Sequence, residues 1–396
     1  MSAATTGPAP ATATAAAEQP VPDLLYSEAE EDLRSAVRSL LADRCAPAAV
    51  LARIETGRPY DPDLWTALGG GMGAAGLLVP EELGGQGASA REAAVVLEEL
   101  GRAAAPSPYL TSAVIAVEAL LATEPVDGTE AAALLAELAG GRSTATLALP
   151  WSTAPGTRLT VTVRAGDDAA LTGSVRGVAD AGESATLLVP AEGPGGLGLY
   201  AVDTAASGVT VTPRVPLDLT RPLADTAFAD APARPVAGPE EAEAAIRRAL
   251  FAGAGLLASE QLGLAEWCLA ETVRHTRERH QFNRPVGSFQ ALKHRLAALW
   301  LDIVSARAAA RNAADALATG SPDLPVAVAV AQAHCSRTAV HAAEECVQMH
   351  GGIGMTWEHP AHLYLKRAKA DAIALGTAGR HREALAALVN LPAPSP

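Results

Sequence analysis

Apolar positions in the first part of the chain recur with a helical period. Leu33, Val37, Leu40 and Leu41 fall on one face, behind a Ser27–Glu30 pair spaced as a capping box. The period breaks at the Gly-rich run Gly69–Gly76 and at Val79-Pro-Glu-Glu-Leu-Gly-Gly-Gln-Gly87, then resumes over Val95–Leu100, which predicts an N-terminal helical domain over residues 24–142. From Thr144 the period shortens to two. Leu159–Val163 and Val209–Thr212 alternate, and Thr186–Val189 is a short apolar run, with Gly, Pro and Asp between them. A middle antiparallel β domain is therefore expected over 143–236, closing on the Pro/Ala stretch Ala231–Pro235. Helical spacing returns over Glu240–Gln281 and Gln290–Ala318, where Leu292, Leu296, Leu299 and Ile303 make one stripe, and predicts a C-terminal helical domain over 237–392. Residues 1–23 are Ala, Thr and Pro with no basic start and no continuous apolar run, so a disordered tail is expected rather than a signal peptide.

Composition sharpens this picture. Apolar residues are 49% of the chain but aromatics only 4%, so the interior must be built from Ala, Leu and Val, as in closely packed helices. At 396 residues the chain exceeds what one compact core usually holds, so several packed units are expected. A formal charge of −14 argues against nucleic acid or an anionic membrane surface as the main partner. No stretch has the roughly 18 apolar residues that a membrane span needs. Cys45, Cys268, Cys335 and Cys346 show neither CxxC spacing nor a disulfide-rich pattern, which suits a reducing compartment; a cytoplasmic location is expected.

Two motifs carry chemistry. In Arg277-Glu-Arg-His-Gln-Phe-Asn-Arg-Pro-Val-Gly-Ser-Phe-Gln290, Arg279 and Phe282 stand three apart, and the spacing predicts a cation and a ring on one face of a helix end. In Gln348-Met-His-Gly-Gly-Ile-Gly354, unhindered backbone at a helix end could approach phosphate oxygens. In this order and at this distance, with the early Pro80–Gly87 segment and Leu97-Glu-Glu-Leu-Gly101, they resemble the acyl-CoA dehydrogenase family over about residues 27–390.

That resemblance implies a mostly helical α+β fold: an N-terminal helical domain, a middle β domain and a C-terminal four-helix bundle that assembles as a dimer of dimers, with FAD between subunits. It implies that a Glu removes the α-proton of an acyl-CoA thioester while the β-hydrogen leaves as hydride to the flavin, and that a separate electron-transfer acceptor reoxidises it.

The chain departs from the family at the base. The usual Glu of a Glu-Gly-Thr triplet corresponds here to Leu375, followed by Gly376-Thr377. Losing a positioned general base typically removes about 10² to 10⁴ in rate. The alternative base position of some relatives, on the first long helix of the C-terminal domain, corresponds to Leu250–Leu257, which has no carboxylate. The segments that face the chain's own flavin ring are unrecognisable in Leu147-Ala-Leu-Pro-Trp-Ser152 and Gly177-Val-Ala-Asp-Ala181. By contrast, the groups that the family reaches across the dimer to a neighbour's flavin remain: Arg279, Phe282, Gln290, Gln348, Gly351 and Gly352. Thr377 also survives among the family's cofactor positions.

One half-site kept and one lost implies a heterotetramer, in which a second acyl-CoA dehydrogenase-like subunit supplies flavin and base. Two alternatives stay open: a self-sufficient enzyme with a displaced base, Asp371 or Glu358, or a flavin-free scaffold of the same fold. The plain reading of Asp371 is an ion pair with Arg367 or near Lys369 on an exposed helix, and of Glu358 a loop hydrogen bond. The pair His359–His362 is not read as a metal site, because Pro360 breaks the helix that would align the rings and no third ligand is near in sequence.

Overall fold

The computed structural model describes residues 22–392, so the expected tail lies, but for its last two residues, outside the described region. Helix α1 (Glu28–Arg44) starts on the Ser27–Glu30 capping box, Ser27 Oγ accepting from Glu30 N at 3.2 Å and Glu30 accepting from Ser27 N at 2.6 Å. Short helices α2 (Pro47–Ile54) and α3 (Pro62–Trp65) follow, and the Gly-rich run closes into a π-helical turn, Thr66–Gly71. A second capping box, Ser89 with Glu92, opens α4 (Ala90–Arg102). A buried π-helical segment, Tyr109–Ala116, runs into α5 (Val117–Leu121), and α6 (Glu130–Ala139) completes the first unit.

The middle unit is an eight-stranded sheet of β1 (Ala145–Leu147), β2 (Val163–Ala165), β3 (Leu171–Ala179), β4 (Thr186–Gly193), β5 (Gly196–Asp203), β6 (Val209–Arg214), β7 (Leu223–Ala231) and β8 (Arg234–Ala237). Its order is β6-β7-β3-β2-β4-β5-β8, with β1 beside β4. Pairing is antiparallel except where β1 and β2 meet β4. Of the alternating stretch Leu159–Val163 only Val163 enters a strand; the residues before it stay outside, with Thr162 Oγ1 donating to the Ser174 carbonyl.

Helix α7 (Ala242–Glu278) forms the centre of the last unit, packed against α4, α8 (Gln290–Ala318) and α9 (Leu324–His350). Every residue from Ala252 to Glu266 is buried, as expected of a helix surrounded on all sides. Glycine permits the closest crossing: a Cβ on Gly263 would lie 1.9 Å from the Glu98 carbonyl oxygen, and one on Gly101 2.1 Å from that of Glu260. Helices α10 (Ala361–Asp371) and α11 (Ala378–Leu388) close the bundle. Among the described residues no helix is long and apolar enough to cross a membrane.

The ends of α7 and α9 decide where the motifs go. The His275 and His350 rings lie 4.1 Å apart, so both helices finish at the same end of the bundle, and α8 starts there. The N-terminal half of α9 lies at the other end, where Pro325 and Val328 share a cavity wall with Arg380 of α11.

Candidate functional site

At the base position the chain turns out of α10 and places Leu375 at φ +52°, buried to 2% exposure. A non-glycine residue seldom adopts this left-handed region, so the surroundings must hold it there. They do so from three sides. Leu375 N donates to the Trp151 carbonyl at 2.8 Å, and the Leu375 carbonyl faces His381 Nε2 at 3.0 Å. Its side chain packs towards α7: a Cβ built on Gly253 would lie 3.2 Å from Leu375 Cδ1 and 2.7 Å from Ile115 Cγ1. The place of a base is filled with aliphatic carbon.

Trp151 in turn donates its backbone N–H to the Gly177 carbonyl at 2.9 Å, and Gly177 N donates to Asp225 Oδ1 at 3.0 Å. The loop that carries Leu375 is thus bonded to the first of the two segments expected to face the flavin ring, and the first to the second. The backbone groups at these contacts are satisfied within the chain, while the Trp151 Nε1 is buried without a hydrogen-bond partner.

Beneath Trp151 lies a buried ionic cluster that the motifs did not announce. Arg221 bonds Asp371 Oδ1 at 2.9 Å and Glu260 at 2.7 Å, and Arg367 meets Asp218 at 3.1 Å and Glu260 at 3.3 Å. Asp180 accepts from Tyr60 and, at 2.6 Å, from Thr111. The Arg221 guanidinium sits 5.3 Å from the centre of the Trp151 ring. Two guanidinium groups face four carboxyl groups, so full ionisation would leave net negative charge in a dry interior. Burial, and then the neighbouring Glu260, push Asp371 well above the usual carboxylate range; burial likewise raises Asp180. Glu260 stays below its usual value, since Arg221 and Arg367 outweigh its burial.

Asp371 therefore does not sit on an exposed helix beside Arg367 or Lys369. It is 1% exposed and points at Arg221 from the β domain, while Lys369 pairs with Glu344. The reason is the helix period: α10 buries Tyr364, Arg367, Ala368 and Asp371 on one stripe. Glu358, the other substitute base, is exposed in the turn after the Gly motif.

The opposite half-site has another character. Helix α7 ends at Glu278, and Arg279 is already extended. The next residues form a two-stranded hairpin, β9 (His280–Gln281) and β10 (Arg284–Pro285), turning on Phe282 and Asn283 at φ +52° and +60°. A two-residue hairpin turn with both φ values positive matches strand twist. Arg279 and Phe282 consequently do not share a helix face; Phe282 projects from the hairpin tip at 87% exposure. Arg279, Gln290, Gln348, Gly351 and Gly352 are exposed at this same end. Gly351 has φ +63°, and a Cβ on Gly351 or Gly352 would meet nothing within 4 Å, so the surface here is open, although the Gly351 N–H already donates to the Gln348 carbonyl.

Thr377 is separated from this group. It caps α11, its Oγ1 accepting from Arg380 N at 3.3 Å, and lines a cavity of about 420 Å³ with Pro150, Thr153 and Ile373. By helix rise, the start of α9 near Arg380 and its end at Gly351 stand roughly 40 Å apart. One bound cofactor on this chain would not readily meet both sets.

The His359–His362 pair is not brought together, since His362 turns to Trp357, with ring centroids 4.6 Å apart. His359 instead folds onto His350 and Glu271, so partners that sequence proximity did not offer are present in space.

Comparison with known proteins gives a consistent answer. Residues 27–140 match the acyl-CoA dehydrogenase N-terminal domain and residues 244–389 the C-terminal domain. The chain is 36% identical over 346 residues to acyl-CoA dehydrogenase IpdE2 of Mycobacterium tuberculosis, covering 87% of this chain and 92% of that relative. Among solved structures it resembles a variant of the Tcur3481–Tcur3483 steroid acyl-CoA dehydrogenase, at 29% identity and TM-score 0.80, covering 92% of this chain and 98% of the other. It is similar to the ChsE4–ChsE5 complex from Mycobacterium tuberculosis at 28% identity and TM-score 0.81, with 94% and 100% covered.

Proposed function

Because the chain belongs to the acyl-CoA dehydrogenase family, whose cofactor is FAD, we propose that it is the base-lacking subunit of a heteromeric acyl-CoA dehydrogenase that α,β-dehydrogenates a bulky acyl-CoA thioester. The observation that carries this reading is Leu375, an aliphatic side chain at the base position, fastened by its own N–H to Trp151. A closed half-site on one face and an open one on the other suit a subunit that lends contacts and receives none. Two of the similar solved structures are named as pairs, Tcur3481–Tcur3483 and ChsE4–ChsE5, which supports a second, unlike subunit. The steroid named for the first makes a steroid CoA thioester the first substrate to try.

In this assembly FAD bound to the partner supplies the hydride acceptor. Arg279 offers a cation, and Gly352 backbone unhindered by any side chain, towards the phosphates, while the Gly351 N–H is taken by the Gln348 carbonyl. Gln290 and Gln348 add neutral hydrogen-bonding groups at the same end, and Phe282 an apolar edge. Leu375 takes no part in proton transfer. Asp371, locked on Arg221 and biased towards its protonated form, is poorly placed as a substitute base.

The test is purification of the chain alone and with its unlike partner, followed by flavin absorbance and acyl-CoA-dependent reduction of a dye acceptor. The expected result is a colourless, inactive chain alone and a yellow, active complex. A fully flavin-loaded, active homomer would overturn the heteromeric reading.

A further inference from the structure

The cluster around His350 lies outside everything used so far. Helix α7 turns Cys268, Glu271 and His275 to one side, the last turn of α9 supplies Cys346 and His350, and the turn after the Gly motif brings His359 over the top. His350 has no side-chain exposure. Its Nδ1 donates to the Cys346 carbonyl at 2.6 Å, an orientation that leaves the Nε2 lone pair free. That Nε2 is buried, has no hydrogen-bond partner, and points at Glu271 Oε1 from 3.6 Å. His359 Nε2 approaches the same oxygen at 3.4 Å, and the two rings lie 4.2 Å apart. The three ligand atoms all lie within 4.8 Å of one another.

These separations have a chemical meaning. A tetrahedral ion with bonds of about 2.0–2.2 Å holds its ligand atoms roughly 3.3–3.5 Å apart. The Glu271–His359 distance is there already, and Glu271–His350 exceeds it by little. Two imidazoles and one carboxylate suit a borderline first-row divalent ion better than Ca²⁺ or Mg²⁺, which prefer oxygen alone. A backbone carbonyl on the non-ligating nitrogen is also the usual support for a metal-bound histidine, fixing its tautomer and ring plane.

We propose that Glu271, His350 and His359 form a binding site for a divalent transition-metal ion of the zinc class, with the fourth position open to water. The ion ties the turn carrying His359, and with it the Gly351–Gly354 segment, to the end of α7. Two groups compete with it. Arg274, half exposed, pairs with both oxygens of Glu271, at 2.8 Å through Nε. His359 Nδ1 accepts from Ala361 N at 3.2 Å, so its proton sits on Nε2 and must move to Nδ1 when the ion binds.

The test is a titration of the tag-free, metal-stripped full-length chain with Co²⁺, read by its visible ligand-field absorption and by displacement with Zn²⁺. One Co²⁺ per chain is expected. Glu271→Gln and His359→Gln, the latter at a side chain only 12% exposed yet on a surface turn, should each weaken binding at least about tenfold, while circular dichroism stays unchanged. Arg274→Gln should tighten it several-fold by freeing Glu271. His362→Gln, whose ring faces Trp357, should leave affinity as it was. Absence of a saturable Co²⁺ spectrum, or equal affinity in the wild type, Glu271→Gln and His359→Gln, overturns the proposal. So does a His362→Gln loss as large as theirs.

Discussion

The backbone N–H of Leu375 donates to the carbonyl of Trp151 at 2.8 Å, and this bond joins the position expected of the base to a segment expected to face the flavin ring. The loop that carries Leu375 is laid against Trp151, with the Leu375 side chain packed near Ile115 and Gly253.

Restoring a carboxylate should therefore not restore catalysis. Leu375→Glu places a charge in an apolar pocket, costing several kcal/mol unless the group stays protonated. The variant chain alone is expected to be less stable and still without flavin. Leu375→Ala, in the complex, should keep turnover within a few-fold while costing about 2–5 kcal/mol of stability for the cavity it leaves. Chemical denaturation together with dye-coupled turnover checks both, and an active Leu375→Glu homomer would contradict the closed half-site.

Arg279 makes the complementary prediction. If it faces a partner's flavin phosphates, Arg279→Ala in the assembled complex removes a charge-assisted hydrogen bond of roughly 1.5–3 kcal/mol. That is about a tenfold to 150-fold loss of FAD affinity, measurable by flavin release on dilution. Unchanged retention would make Arg279 an ordinary charge beyond the end of α7.

The lack of a carboxylate at Leu375 and the presence of the Gly motif are legible because each is a local string, whereas the roles proposed for them are not read from it. The closure is not legible, because the Leu375–Trp151 bond joins backbone atoms of distant segments and has no side-chain signature. The ionic cluster lay in between. Glu260 is a lone carboxylate in the otherwise uncharged run Phe251–Ala265, which is a signal that it must be paired once the helix is buried. Its partner Arg221, and the Asp218 that pairs with Arg367, come from the loop between β6 and β7, where periodicity says nothing. The hairpin at Phe282 was missed because the helical spacing continues to Gln281 and conceals the stop at Glu278.

The crossing of α4 and α7 gives a prediction about stability alone. Gly263→Ala would place a methyl carbon 1.9 Å from the Glu98 carbonyl oxygen, a backbone atom with no rotamer to escape into. The helices must part, and a loss of about 1–3 kcal/mol or more is expected from overpacking. Thermal unfolding measures it. A neutral result would show that the crossing is looser than its geometry.

The buried cluster gives the last prediction, and its sign follows from the direction of the shifts. Asp371 and Asp180 titrate above their ordinary values in the folded chain, chiefly because burial penalises their charged forms. Between the ordinary carboxylate value near 4 and the raised folded values, the native state holds protons that the unfolded chain has released. Their contribution is therefore fully present below that window and is lost as pH rises through it, with a slope of at most about 1.4 kcal/mol per pH unit for each proton. Glu260 is shifted the other way, so its contribution is lost only on acidification through its lowered value. Asp371→Asn keeps the contact with Arg221 through its amide oxygen and cannot ionise. It should flatten the decline in stability above pH 5 and leave the variant at least as stable as the wild type at pH 8. Arg221→Ala should do the reverse, stranding Asp371 and Glu260 and costing about 3–5 kcal/mol. Urea unfolding of both variants at several pH values between 5 and 8 decides the matter. An Asp371→Asn chain with the wild-type slope would mean that Asp371 is ionised throughout, and would reopen it as a candidate base.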